Sequence, residues 1–114
     1  MIKYRCFNKV KKVFFKWDLT MGFKGTVKTW GNVERFTGYS DKKNTEIYEG
    51  DIIKREDGLI GYVYYQMQDN FIGYSVIHIT GNRSDWYGWH NQMFDWNTIE
   101  VIGNIHENKD MLNA

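Results

Sequence analysis

The stretch Arg83-Ser84-Asp85-Trp86-Tyr87-Gly88-Trp89-His90-Asn91 gathers a guanidinium, hydrogen-bonding side chains and three large rings in one short span. Those are the ingredients for stacking a planar base and holding a phosphate, so Arg83, Trp86, Tyr87, Trp89 and His90 are candidate ligand-binding residues. The competing reading is packing. Extended backbone would put Trp86, Gly88 and His90 on one face and Tyr87 and Trp89 on the other, so about half of these rings would belong to a core or a subunit contact.

Glu49 and Asp51 form a second candidate pair, because neighbouring carboxylates serve acid and base roles or bind a divalent cation. Gly50 between them marks a turn that aims them apart, and Asp51 is explained more simply as a residue bonding turn amides at the head of a strand. A hydrolase built on Glu49 and Asp51 is therefore the weakest of the readings considered. His78, His90 and His106 lack metal-ligand spacing, and Cys6 is the one thiol that could join them. No metal or other cofactor is expected, and Cys6 reads as a buried, inert thiol. The chain holds no Gly-Lys-Ser/Thr phosphate loop and no Gly-x-Ser-x-Gly elbow, so no catalytic residue is assigned.

These residues must be positioned by a chain of 114 residues, which fits a single domain spanning 1–114. Fifteen basic and 14 acidic residues leave a net charge of +1, too small to steer the whole molecule to nucleic acid or an anionic membrane. Any anion site must be local. The first 18 residues carry too many charges for a signal peptide, and no apolar run approaches the roughly 18 residues that span a bilayer, so a cytoplasmic protein is expected. Aromatic residues make up 18% of the chain, Pro is absent and Gly occurs 11 times, a mixture that favours pleated sheet with glycine turns.

Alternation of apolar and polar side chains predicts a hairpin of Ile2 to Phe7 with Val13 to Trp17, its rim carrying Lys9, Lys11, Lys12 and Lys16. Thr26 to Trp30 and Val33 to Phe36 read as short strands, the second ending at a Thr37-Gly38 turn. Glu46-Ile47-Tyr48 reads as a link. Asp57-Gly58 and Asp69-Asn70 are tight turns, and they join Ile52 to Arg55, Leu59 to Gln68 and Phe71 to Ile79 into a β-meander. Gly81 to Asp85 is a loop, Thr98 to Ile102 a last strand, and Glu107 to Leu112 one or two helical turns. The fold class is mainly β: a small barrel or strongly bent antiparallel sheet, with an SH3-like meander and a short C-terminal helical turn.

Two stretches carry a family likeness. The run Phe36-Thr37-Gly38-Tyr39-Ser40-Asp41-Lys42-Lys43-Asn44-Thr45-Glu46-Ile47-Tyr48-Glu49-Gly50-Asp51-Ile52-Ile53 resembles the central motif of the phage YopX protein family. Glu100-Val101-Ile102-Gly103-Asn104-Ile105-His106-Glu107-Asn108 resembles its C-terminal motif, and Ile2-Lys3-Tyr4-Arg5 matches its opening more weakly. The resemblance makes Gly38, Asp41, Asn44, Glu49, Gly50, Asp51, Gly103 and Asn104 the structural turn motif. It implies a phage or prophage origin, a mainly β fold and a homo-oligomer, and it implies no activity. Thr45 stands where a Gly is common, and the stretch from Trp86 to Trp96 lies outside the shared motifs.

The expected function is a non-enzymatic phage accessory protein that binds a small ligand such as a nucleotide signal, or a host protein, with counter-defence by sequestration as its use. The alternative is a nucleic-acid-binding module with Lys9, Lys11, Lys12 and Lys16 on phosphates and Trp rings on bases, opposed by the near-zero net charge.

Overall fold

Asn8 ends the first strand and closes the turn that follows. Its Oδ1 accepts the amides of Val10 at 3.0 Å and Lys11 at 2.9 Å, and its carbonyl accepts that of Lys12. The chain can then reverse, and β1 (Lys3–Asn8) pairs antiparallel with β2 (Val13–Asp18). The computed structural model describes residues 3–18, 30–68, 71–82, 86 and 95–113. The expected strand from Thr26 therefore falls outside the described residues until Trp30.

β3 (Trp30–Ser40) pairs with β1 and with β4 (Glu46–Tyr48), giving a four-stranded antiparallel sheet in the order β2-β1-β3-β4. Here the sequence reading needs correcting twice. Thr37-Gly38 does not end a strand: β3 continues through it as a bulge, Phe36 facing Tyr48 and Ser40 facing Glu46, so four steps on β3 match two on β4. Gly38 supplies the positive φ, +89°, that such a bulge needs. Glu46-Ile47-Tyr48 is likewise a strand, because the bulge brings β3 back into pairing distance.

Gly50, at φ +84°, then turns the chain out of the first sheet and into a second. β5 (Asp51–Lys54), β6 (Ile60–Gln68) and β7 (Phe71–His78) form the meander, and β8 (Glu100–Asn104) pairs with the free edge of β5, giving the order β7-β6-β5-β8. A 3-10 turn at Trp96–Thr98, capped by the Asp95 side chain, precedes β8, so Thr98 belongs to the turn and not to the strand. A second 3-10 turn, Lys109–Asn113, ends the described chain. The protein is mainly β with two antiparallel sheets, a small curled β fold. Among the described residues no helix is long and apolar enough to cross a membrane.

The apolar core contains Ile47 of the first sheet, Ile53, Val63 and Val76 of the second, and Trp86, Trp96 and Ile99 from the segments that close over them. Burying each such aliphatic side chain contributes about 1.5–3 kcal/mol. The Asp41 to Thr45 turn fastens the two sheets at this end. The Asp41 carboxylate accepts the amides of Lys43 and Thr45 within its own turn and that of Val101 on β8 at 2.8 Å, while Lys42 N–H donates to the Ile99 carbonyl.

Candidate functional site

Two family-like turns, at Gly50-Asp51 and at Asn104, converge where the sheets meet. Asp51 heads β5 with its Oδ2 accepting the Tyr48 amide at 2.8 Å, and it pairs in register with Asn104 at the end of β8. Asn104 folds the chain after β8 through its Oδ1, which accepts the amides of His106 and Glu107, an Asx turn. Ile105 N–H then donates to the Gly50 carbonyl. Gly103 is packed so closely on Asn108 that a Cβ there would meet Asn108 Oδ1 at 2.5 Å.

Into this junction β1 sends Arg5, which is only 5% exposed. Its Nε donates to Glu34 Oε1 at 2.9 Å, and its Nη2 lies 2.8 Å from Asp51 Oδ1 and 3.0 Å from the Glu49 carbonyl. The guanidinium also lies 4.2 Å from the Phe14 ring centre and 4.9 Å from that of Tyr48. On its other oxygen Glu34 meets His106 Nε2 at 3.1 Å, and the His106 ring stacks on Phe7 with centres 5.0 Å apart. Gly50 permits this arrangement because a Cβ there would overlap the Glu34 carboxylate.

One guanidinium thus faces two buried carboxylates. Burial pushes the Asp51 carboxyl up to about 6, and the Glu34 charge adds to the rise, against the opposing pull of Arg5 and the Tyr48 amide. Burial also raises the Glu49 carboxyl, whose Oε1 accepts the Arg35 amide at 2.8 Å. The two carboxylates therefore face different partners, Glu49 the Arg35 amide and Asp51 the Arg5 guanidinium. Among the described residues no group of three His, Cys, Asp or Glu could hold a metal ion.

A groove of about 350 Å³ opens between the sheets, lined by residues of β1, β3, β6 and β7. The Arg35 guanidinium lies 4.3 Å from the Tyr65 ring centre, and Tyr65 meets Tyr74 edge-on at 5.1 Å. Lys3 reaches over the Phe36 ring while pairing with Glu46, and Tyr4 completes the wall. Gly38 leaves open space, with nothing within 4 Å of where a Cβ would project.

Of the expected ligand residues only Trp86 is described, and it does not line the groove. Trp86 is fully buried in the core, its Nε1 donating to the Thr80 carbonyl at 2.9 Å and its ring covered by Arg55, so it offers no stacking face and its ligand-binding reading is corrected to packing. Arg83, Tyr87, Trp89 and His90 lie outside the described residues. Trp96 is also core and stacks with the half-exposed Tyr39. Of the turn residues, Asn44 takes the left-handed conformation at φ +65° and closes its turn onto the Asp41 carbonyl. Cys6 is buried at 1% exposure and His78 is exposed. The groove residues Arg35, Phe36, Tyr65 and Tyr74 were missed. One signal existed: counting back from the Asp69-Asn70 connection puts Tyr65 directly opposite Tyr74.

Comparison with known proteins agrees with this architecture. The crystal structure of protein EF1440 from Enterococcus faecalis is similar in fold, with a TM-score of 0.54 and 20% identity over 98% of each chain. No curated protein matches the chain. A family model described as YopX protein matches residues 19–113, a span that includes both turn motifs, Glu34, His106 and the groove residues of β3, β6 and β7. The chain belongs to the YopX family.

Proposed function

We propose that this is a non-catalytic binding protein whose inter-sheet groove takes a small ligand with a flat ring and a negative charge, a nucleotide being the type. One observation carries the reading: the groove sets two cations, Lys3 and Arg35, beside the rings of Tyr4, Phe36, Tyr65 and Tyr74. Its volume of about 350 Å³ falls within the roughly 300–1,000 Å³ range of small-molecule sites. Rings supply stacking that tolerates any base, and the guanidinium supplies forked donors for a phosphate. The buried carboxylates support binding over turnover, because Glu34 and Asp51 are committed to Arg5. A protein that holds a nucleotide unchanged acts by sequestration, which suits a phage or prophage product that removes a host defence signal.

Calorimetric titration with mononucleotides and cyclic dinucleotides tests this. The expected result is saturable binding of at least one of them, weakened about tenfold or more by Tyr65→Ala, as loss of one stacked base contact implies. Absence of binding across the panel, or conversion of a bound nucleotide, overturns the proposal.

A further inference from the structure

A second cavity, of about 140 Å³, lies at the hairpin end of the molecule and is lined by Phe7, Lys9, Lys12, His106 and Lys109. We infer that it is a separate site for a compact inorganic phosphate anion such as pyrophosphate, held by the three lysines against the stacked Phe7–His106 wall.

The cavity is formed by three segments, each fixed by its own hydrogen bonds. Asn8 clamps the 9–12 turn through Oδ1 and its carbonyl, and Lys12 completes that turn in the left-handed conformation at φ +59°. A lysine in that conformation is uncommon, because a Cβ is crowded there. The Asn104 Asx turn sets His106, whose Nε2 is held by Glu34 while its ring lies against Phe7 at an interplanar angle of 12°. The final 3-10 turn begins at Lys109, and its Met111 amide donates back to the Asn108 carbonyl.

Lys3 and Lys43 each pair with a glutamate, Glu46 and Glu100, whereas among the described residues no carboxylate lies within 4.0 Å of the Lys9, Lys12 or Lys109 ammonium. Three like charges around one concavity repel each other, and an anion seated among them removes that cost. Lysine acts there as a point charge on phosphate oxygens. The size selects the ligand: a cavity of about 140 Å³ has less than half the volume of the groove and admits a phosphate, leaving no room for a stacked base beside it.

The test is an NMR titration of the isotopically labelled full chain with sodium pyrophosphate against sodium chloride at matched ionic strength. Pyrophosphate should produce saturable shifts in the amides of Lys9, Lys12 and Lys109 and in the His106 ring. Lys9→Gln and Lys109→Gln, both at exposed positions, should each weaken binding about tenfold, the loss of one charge-assisted contact, while Lys54→Gln on β5 leaves it unchanged. Shifts that match the chloride series, or an equal loss in Lys54→Gln, would overturn the assignment. So would a mixed-sequence single-stranded oligonucleotide that binds the same residues more tightly than pyrophosphate, since that marks a nucleic-acid backbone contact.

Discussion

Around Trp86 the interior is apolar: Ile47, Ile53, Val63, Val76 and Ile99 exclude water and carry no charge. Between β1, β3 and β5 it is charged, with Arg5, Glu34 and Asp51 at 5%, 7% and 2% exposure. The first region contributes stability through area removed from water, and any side chains of the right volume serve it nearly as well. The second contributes mainly geometry. A guanidinium that must reach Glu34, Asp51 and the Glu49 carbonyl together fixes how β1, β3 and the Gly50 turn meet. Glu49 extends that constraint to the groove, because its carboxylate holds the Arg35 amide. The charged junction thus sets the groove wall, and the apolar core keeps it from moving.

The largest expected effect separates these two interiors. Arg5→Ala leaves two buried carboxylates without their cation and should destabilise the fold by about 3–5 kcal/mol in denaturant unfolding, whereas Ile53→Val in the apolar core should cost about 1 kcal/mol. Equal losses would show the junction to be ordinary packing.

Next in size is a pH effect confined to the charged interior. Asp51 holds its proton more tightly folded than unfolded, its carboxyl standing near 6 against 3.8. Below about pH 4 both states are protonated and its contribution is fully present. As pH rises from about 4 to 6 the unfolded state releases the proton first, so stability falls by roughly 3 kcal/mol over that window. Unfolding measured across pH should show this decline, and Asp51→Asn should flatten it. An unaltered slope in the variant would assign the decline elsewhere.

A smaller effect compares two glycines of similar backbone conformation. Gly38→Ala and Gly50→Ala both place a Cβ at positive φ, at a cost of about 1–2 kcal/mol. At Gly38 the new atom meets open space, whereas at Gly50 it displaces Glu34 from Arg5. Gly50→Ala should therefore be more destabilising by about 1–3 kcal/mol, the range for disturbing a buried polar partner. Thermal melts that rank the two alike would remove Gly50 from the junction.

The sequence made local structure legible and left the long-range parts hidden. Asp57-Gly58 and the alternation on either side of it disclosed the meander, because hairpin pairing depends on neighbours. The bulge in β3 was hidden, since Thr37-Gly38 has turn chemistry and only pairing with β4 makes it part of a strand. Arg5 read as one polar residue on an alternating strand. Its partners Glu34 and Asp51 lie 29 and 46 positions away, and nothing short of the assembled sheets brings them together. The same reason hid the groove, whose walls come from four strands. The Trp-rich stretch misled at Trp86 because ring content signals burial as readily as binding.

The central claim is that the groove receives a ring and a charge and leaves the ligand intact. It is tested most directly by a crystal structure grown with the nucleotide that binds most tightly in calorimetry. The account predicts an uncleaved ligand with its base against Tyr65 and a phosphate oxygen bonded to Arg35 or Lys3. A groove left empty while the nucleotide sits elsewhere, or a hydrolysed product in its place, would contradict it.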